Sequence, residues 1–201
     1  MRALSIWLMV FMAAAVALGD KKSDAKFSPG PASSYASKQS NGNVTVAAVA
    51  YDSEELAHTA FGKLDPSQHG VLPVLVIIQN DTAQALRLDH LEVEYTGGDG
   101  RHVDATPASE VVYLGAPPRR PSNTQVPSPF PQIKRNKNPL NAWEIEGRAF
   151  AAKMLPAHES ANGFFYFQVR HLPGAKFYLT GIKEAATGKD ILYFDISLDS
   201  K

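Results

Sequence analysis

Histidine is the first residue type to consider for chemistry, because imidazole can both move protons and bind metal ions. His90 and His102 flank a predicted hairpin, where opposed strands could bring them to a metal ion together with Asp89 or Asp104. Scattered surface histidines explain the same pattern, and we favour this interpretation because a metal site needs three or four converging ligands. We therefore predict no metal ligand and no cofactor, although six histidines are present, at positions 58, 69, 90, 102, 158 and 171.

The sequence contains none of the common catalytic motifs. His158, Glu159 and Ser160 have the residue types of a hydrolase triad, but adjacent residues cannot orient one another as base, orienting group and nucleophile. The chain has no cysteine, which excludes thiol catalysis and disulfides. We predict no catalytic residue from the sequence and leave the question of enzymatic activity open.

The segment 116–138 is rich in proline and carries five basic side chains but no acidic one. A long proline-rich insertion is usually a solvated loop, and we favour that interpretation. The alternative is a polyanion-binding site that meets an anionic polymer or lipid surface of a cell envelope. Its candidate residues are Arg119, Arg120, Lys134, Arg135 and Lys137.

Three tyrosines in predicted strands are candidates for an aromatic surface. If Tyr166, Tyr178 and Tyr193 share an exposed sheet face, their rings could bind a glycan or a peptide. Half-buried tyrosines of an ordinary sheet would explain the same positions, and they are the more common case.

The first 19 residues have the features of a cleavable signal peptide. Arg2 precedes an apolar run of about a dozen residues that ends in small side chains near Gly19. Cleavage there predicts an exported protein, periplasmic or extracellular, without a stable membrane span. The whole chain has 20 basic and 20 acidic side chains, so loss of Arg2 leaves a net charge of minus one, which gives no reason to expect a nucleic-acid partner.

Composition divides the remaining chain into two parts. Residues 20–42 are polar and rich in Ser, Lys, Pro and Gly, which predicts a flexible linker. Residues 43–201 are predicted to form a single domain large enough to be held together by its own core, with 116–138 as an insertion.

Short strands dominate the predicted secondary structure of this domain. The segment 71–78 is apolar on both faces, which predicts a central strand covered on both sides. The apolar alternation shifts by one at Asp89 and His90, which predicts a bulge or break, and the glycines of 97–100 predict a hairpin turn. Three further strands are predicted to form an antiparallel meander, at 163–171, 176–183 and 190–198.

Helices are predicted at three places. Asp52 and Glu55 have the spacing of a capping box for a short helix that ends near Phe61. A second short helix is predicted over 107–114, where a strand would also fit. A third is predicted to begin between 138 and 141 and to end at Pro156, with an apolar face that comprises Leu140, Trp143, Gly147, Phe150, Ala151 and Met154.

Runs of short strands on both sides of a helical insertion predict a mainly β fold, namely an antiparallel immunoglobulin-like β-sandwich with one or two short helices inserted between the strand groups. Several segments of the chain also carry a resemblance: Gly163-Phe164-Phe165-Tyr166-Phe167, Tyr178-Leu179-Thr180-Gly181, Tyr193-Phe194-Asp195-Ile196, and Gly70-Val71-Leu72-Pro73-Val74 with the turn Asn80-Asp81. Their pattern resembles bacterial exported proteins of uncharacterised function that have an immunoglobulin-like β-sandwich. The resemblance implies the fold, and it implies no catalytic residue.

These observations favour a noncatalytic exported β-sandwich that binds or supports a cell-envelope component, either an envelope protein or an anionic envelope polymer. The alternative is a hydrolase or a metal-dependent enzyme whose site is assembled only in three dimensions. Titratable residues clustered in a concave pocket would favour the enzyme. An exposed strand edge or an aromatic patch would favour the binding protein.

Overall fold

The computed structural model of the protein describes residues 27–114, 138–191 and 193–199. Within these residues the fold is mainly β, as predicted, with eleven short strands in antiparallel sheets and three short α-helices. No helix in the described ranges is long and apolar enough to cross a membrane. The strands are β1 (Lys38–Asn41), β2 (Val44–Ala50), β3 (Leu72–Asn80), β4 (Leu86–Arg87), β5 (Glu92–Thr96), β6 (His102–Asp104), β7 (Met154–Leu155), β8 (Ser160–Phe167), β9 (Lys176–Thr180), β10 (Lys183–Glu184) and β11 (Phe194–Ser197), and the helices are α1 (Glu54–Phe61), α2 (Ala108–Leu114) and α3 (Trp143–Gly147).

The described strands form three sheets. The first sheet has the order β1-β2-β3-β8, and the second sheet has the order β11-β9-β5-β6. A small third sheet has the order β10-β4-β7. Strand β3 pairs with β2 on one side and β8 on the other, so the prediction of a central strand at 71–78 is confirmed.

One hydrophobic core lies between the first and second sheets. Alternate residues of β2, β3 and β8 face it from the first sheet, and alternate residues of β5, β9 and β11 face it from the second. The alternation of β11 is the one predicted, since Phe194 and Ile196 are buried while Asp195 and Ser197 are exposed. The largest fully buried side chains of this core include Leu72, Ile78, Tyr95, Phe167, Phe177 and Phe194.

A second hydrophobic core covers the opposite face of the first sheet. Leu75, Ile77 and Phe164 of that sheet pack there against buried residues of the three helices. The helices contribute Ala60 and Phe61 from α1, Val111 from α2 and Ile145 from α3. The first sheet is therefore covered on both faces, by the second sheet on one side and by helices on the other.

Residues 27–42 differ from the predicted flexible linker. Phe27 packs against Phe164 with ring centroids 5.5 Å apart, Ala32 is fully buried, and β1 pairs along β2. The side-chain oxygen Oε1 of Gln39 accepts a hydrogen bond from the backbone N–H of Asp195 at 2.7 Å. The contacts with Phe164 and Asp195 are made far along the chain and leave no signal in local composition, whereas β1 pairs with β2 through the local two-residue turn Gly42-Asn43.

The predicted third helix is too long. The helix ends at Gly147, and the following residues pair with β8 instead. The carbonyl of Arg148 accepts a hydrogen bond from the N–H of Phe164 at 2.8 Å, and the N–H of Phe150 donates to the carbonyl of Phe164 at 3.0 Å. Met154, assigned to the apolar face of that helix, lies in β7 and is exposed. A longer helix would have left these backbone groups of Phe164, at the edge of β8, without the hydrogen bonds from residues 148–150.

The predicted meander of the last three strands is confirmed for its last two, which pair as β9 and β11, and is wrong for the first. Strand β8 pairs with β3, and the chain then crosses to the second sheet, where β9 pairs with β5 and β11. Phe164, Tyr166 and Phe167 of β8 are buried and lie on both of its faces, so this strand is accommodated in the doubly covered sheet.

Other local predictions are confirmed. The break at Asp89 and His90 separates β4 from β5, and the turn at 97–100 joins β5 to β6. The first helix lies where it was predicted, although Ser53 rather than Asp52 caps it, through a hydrogen bond from the N–H of Leu56. The second helix is α2.

Replacement of Gly163 by alanine is expected to destabilise the protein. A Cβ at this position would lie 2.4 Å from the Cα of Phe150, which is backbone held in place by its own hydrogen bonds. We expect Gly163→Ala to lower the free energy of unfolding by about 2 kcal/mol, as for overpacked cores. Urea unfolding measures it, and exposed Asn162→Ala on the same strand is the control, with a change of about 0.5 kcal/mol or less. Equal values for the two variants would contradict the contact.

The stability of the protein is expected to fall at alkaline pH because of Tyr51. Burial, assisted by the nearby Tyr35, raises the pKa of Tyr51 to about 12. The unfolded tyrosine ionises near pH 10, so this contribution is complete below about pH 10 and is lost as the pH rises toward 12. Urea unfolding between about pH 8 and 11.5 should therefore show a shallower decline for Tyr51→Phe than for the parent protein. The control is Tyr113→Phe, at an exposed tyrosine of α2, and an unchanged decline in Tyr51→Phe would contradict the assignment.

Candidate ligand-binding cleft

The basic residues proposed for polyanion binding, Arg119, Arg120, Lys134, Arg135 and Lys137, lie outside the described residues. That hypothesis therefore stays a prediction from the sequence.

The three candidate tyrosines do not form one surface. Tyr166 is buried in the second core, where its hydroxyl donates to the carbonyl of Ile145 at 2.7 Å, and burial raises the pKa of Tyr166. Tyr178 and Tyr193 do come together, with stacked rings whose centroids are 5.7 Å apart, and Tyr193 is 54% exposed. Tyr166 is thus removed from the predicted surface, because β8 turns this side chain toward the helices.

The histidines do not form a metal site in the described residues. His102 is paired with Glu94 on β5, whereas the imidazole of His90 lies 3.6 Å from its neighbour Asp89. No group of three or more His, Asp or Glu side chains in the described ranges is arranged to hold a metal ion.

Hydrolase residue types meet at one small pocket, but without the contacts that a triad needs. Asp52, Ser67 and His171 all line it. The hydroxyl of Ser67 donates to Asp65 at 2.6 Å, while His171 interacts with Asp199 through Nε2 and approaches the hydroxyl of Tyr95 through Nδ1. No hydrogen bond joins Ser67 to His171 in the described part of the chain, so the serine has no base beside it.

A larger cleft, of about 480 Å³, opens beside β5. Strand β6 pairs with β5 from Glu94 to Thr96, and after Asp104 the chain leaves this ladder, so that Thr106 bridges to Tyr166 on β8. The departure of β6 leaves a gap along residues 91–93, on the side of β5 away from β9. The cleft is lined there by Leu91, Glu92, Val93, Glu94, Asp104, Ala105, Thr106, Pro107, Ala108, Ala149, Phe150, Phe164, Phe165, Tyr166, Tyr178 and Thr180.

The bottom of the cleft is apolar. Five of its lining residues, Ala105 and four larger ones, pack against the first core but are only partly buried, because the two sheets do not close over them. Phe150 stacks on Phe165 with ring centroids 5.3 Å apart and nearly parallel planes. We refer to Leu91, Val93, Phe150 and Phe165 as the apolar floor.

Three carboxylates line the same cleft, and we refer to Glu92, Glu94 and Asp104 as the acidic rim. Glu92 and Glu94 share one face of β5, about 7 Å apart at the rise of a strand. Asp104 lies directly opposite Glu94 on β6. Lys, Arg and His do not occur among the described residues that line the cleft.

The carboxylate of Glu94 has partners, whereas the other two carboxylates have none in the described ranges. His102 pairs with Glu94, and the hydroxyl of Thr96 donates to it at 3.3 Å. Glu92 and Asp104 make no side-chain hydrogen bond or ion pair with another described residue. Two carboxylates of the acidic rim are therefore available to a ligand at the mouth of the cleft.

Sequence reasoning missed the acidic rim, although a signal for it was present. The segment Glu92-Val93-Glu94-Tyr95 alternates acidic and apolar residues, and the hairpin turn at 97–101 sets the register that places Asp104 opposite Glu94. The apolar floor had no such signal, because Phe150 was assigned to a helix and Phe165 to the meander of the last three strands.

No protein-family model matches the chain, and no curated protein sequence matches it. The chemistry of the cleft must therefore be inferred from its own residues.

Neutralising Asp104 is expected to stabilise the protein. Like charges directly opposite each other on paired strands cost roughly 0.2–1 kcal/mol. Asp104→Asn should therefore raise the free energy of unfolding by about 0.5 kcal/mol at low ionic strength, and the gain should shrink in salt. Thermal and urea unfolding measure it, with Glu159→Gln as the control at an exposed carboxylate before β8. A loss of stability in Asp104→Asn would show that Asp104 has a structural role instead.

Proposed function

We propose that this chain is a noncatalytic exported protein with an immunoglobulin-like β-sandwich, and that it binds a protein of the cell envelope through the cleft beside β5. The observation that carries the proposal is the cleft itself, with its apolar floor and acidic rim. Export rests on the signal-peptide features of 1–19 and the fold family on the resemblance of the strand segments.

The arrangement of the two larger sheets supports the sandwich. They share one hydrophobic core, to which both contribute alternate side chains. On one side, β1 and β11 lie next to each other and are joined by the hydrogen bond between Gln39 and Asp195. This is how two sheets that pack face to face close along one edge.

The cleft supports binding as the function of this fold. Its volume of about 480 Å³ lies in the range of ligand sites, roughly 300–1,000 Å³. Hydrophobic side chains at its floor remain partly exposed where the two sheets do not close over them. An apolar surface rimmed by polar groups is typical of an interaction site.

The charge of the cleft favours an envelope protein over an anionic polymer as its ligand. Carboxylates at the mouth repel phosphate and carboxylate polymers, and like-charge contacts suppress wrong partners. An anionic polymer would have to bind elsewhere on the chain. The cleft is therefore assigned to a protein partner.

Site-directed photo-crosslinking in cells that express the full chain tests this proposal. A benzophenone amino acid in place of Thr180, which lines the cleft, should give a discrete adduct with one envelope protein. The same amino acid in place of Thr59, exposed on α1, is the matched control and should give none. The adduct should disappear when Ala105→Trp fills the cleft, with circular dichroism confirming that this variant is folded. Identical adducts from both positions, no adduct from Thr180, or an adduct that survives Ala105→Trp would each overturn the proposal.

A further inference from the structure

A second cleft lies at the seam where β1 of the first sheet meets β11 of the second sheet, and we refer to it as the seam cleft. We propose that the seam cleft and the tyrosine pair beside it bind a neutral glycan of β-linked, glucose-type sugar rings. This site goes beyond the protein partner proposed above, because it differs from the cleft beside β5 in its place on the surface and in its class of ligand.

The seam cleft has a volume of about 430 Å³. Residues 36–39 line it on the side of the first sheet, and residues from within 193–197 line it on the side of the second. In the second group Tyr193, Asp195 and Ser197 are exposed, because the residues between them are buried in the first core. The side chains offered on this side therefore belong to the outer face of the second sheet.

Tyr193 supplies an aromatic wall to the seam cleft. It is more than half exposed, and its ring is stacked with that of Tyr178, with 28° between the ring planes. A glucose-type ring carries its hydroxyls around the rim and C–H groups on both faces. Such a face is apolar and packs on an aromatic ring, whose negative π face attracts the C–H groups. Tyr193 and Tyr178 thus provide an aromatic surface for the sugar rings of a glycan.

Polar groups beside Tyr193 include both donors and acceptors. The side-chain oxygen of Gln39 accepts from the backbone N–H of Asp195, which can only donate, so this hydrogen bond fixes the orientation of the amide. The amide nitrogen of Gln39 then makes no hydrogen bond with a described residue, and neither does the hydroxyl of Ser197. A sugar hydroxyl both donates and accepts, so it can use an amide donor and a carboxylate acceptor side by side.

The charges at the seam cleft favour a neutral ligand. Lys38 and Asp195 are the charged residues among its described lining, and their charges cancel. Lys38 donates to a backbone carbonyl, and Asp195 is paired with Lys176 at 2.8 Å. On the outer face, Tyr178 lies between Asp195 on β11 and Glu94 on β5, directly across from each. An anionic polymer that covers Tyr178 would therefore meet a carboxylate on either side.

A proline-rich peptide is the other class of ligand that binds to aromatic surfaces. Proline has a backbone carbonyl but no N–H, so such a peptide brings acceptors and few donors. It would leave the carboxylate of Asp195 without a new hydrogen bond, whereas sugar hydroxyls can donate to it. The mixture of donors and acceptors beside Tyr193 thus favours the glycan.

Binding of short oligosaccharides to the complete protein, measured by isothermal titration calorimetry, tests the inference. Cellotetraose and chitotetraose are the probes, because both are neutral chains of β-linked, glucose-type rings. We expect at least one of them to bind with a dissociation constant below about 1 mM. A hyaluronan tetrasaccharide, which has the same ring type but carries carboxylates, should bind more weakly, and so should decaproline.

Variants of the protein locate the binding. Tyr193→Ala should weaken it by about tenfold through the loss of stacking, and Ser197→Ala by about two- to fivefold through the loss of a hydrogen bond. Tyr113→Ala, at an equally exposed tyrosine of α2, is the matched control and should leave the affinity unchanged. Ala105→Trp, which fills the cleft beside β5, should also leave it unchanged. Circular dichroism confirms that each variant is folded.

Several results would overturn the inference. These are no binding of either neutral tetrasaccharide, tighter binding of the hyaluronan tetrasaccharide or of decaproline, and equal losses in Tyr193→Ala and Tyr113→Ala. Loss of binding in Ala105→Trp would overturn it as well, because the glycan would then lie in the cleft beside β5. The crosslink from position 180 is a separate measurement, so failure of the glycan site leaves the proposed protein partner standing.

Discussion

Strand β3 imposes the constraint on which the rest of the structure depends. Its nine residues are buried, or nearly so, on both faces, and burying each large aliphatic side chain contributes about 1.5–3 kcal/mol. Such a strand must have neighbours on both edges and a covering layer on both faces. Strands β2 and β8 supply the neighbours, and the second sheet and the helices supply the two layers.

The cleft follows from the way these layers meet. On the side of β1 the two sheets are joined through Gln39 and Asp195. On the side of β8 the two sheets are not joined in this way. Residues 148–150 and Thr106 form short bridges to the edge of β8 instead. To reach that edge the chain leaves β5 after Asp104. The gap beside residues 91–93 is thus a consequence of satisfying the backbone of β8.

The features that could be predicted from the sequence are those that depend on neighbouring residues. The apolar run of β3, the turn before β6 and the alternation of β11 each follow from local spacing. The missed features depend on distant partners. Strand β1 is joined to the distant β11 through Gln39, and Tyr166 is buried because β8 pairs with β3 instead of β9. The cleft joins five separate stretches of chain, so local patterns could indicate its acidic residues but not their meeting with the apolar floor.

The charges elsewhere in the molecule give the acidic rim its significance. Where the second sheet places Asp195 on its outer face, Lys176 on the adjacent strand pairs with it at 2.8 Å. Lys183 lies opposite Asp190 and pairs with it at 3.2 Å. The fold thus places lysine beside aspartate at other sheet positions. At the cleft it places Asp104 opposite Glu94, and of these two carboxylates only Glu94 has a partner among the described residues, His102. Natural proteins retain such unfavourable arrangements mainly where function requires them.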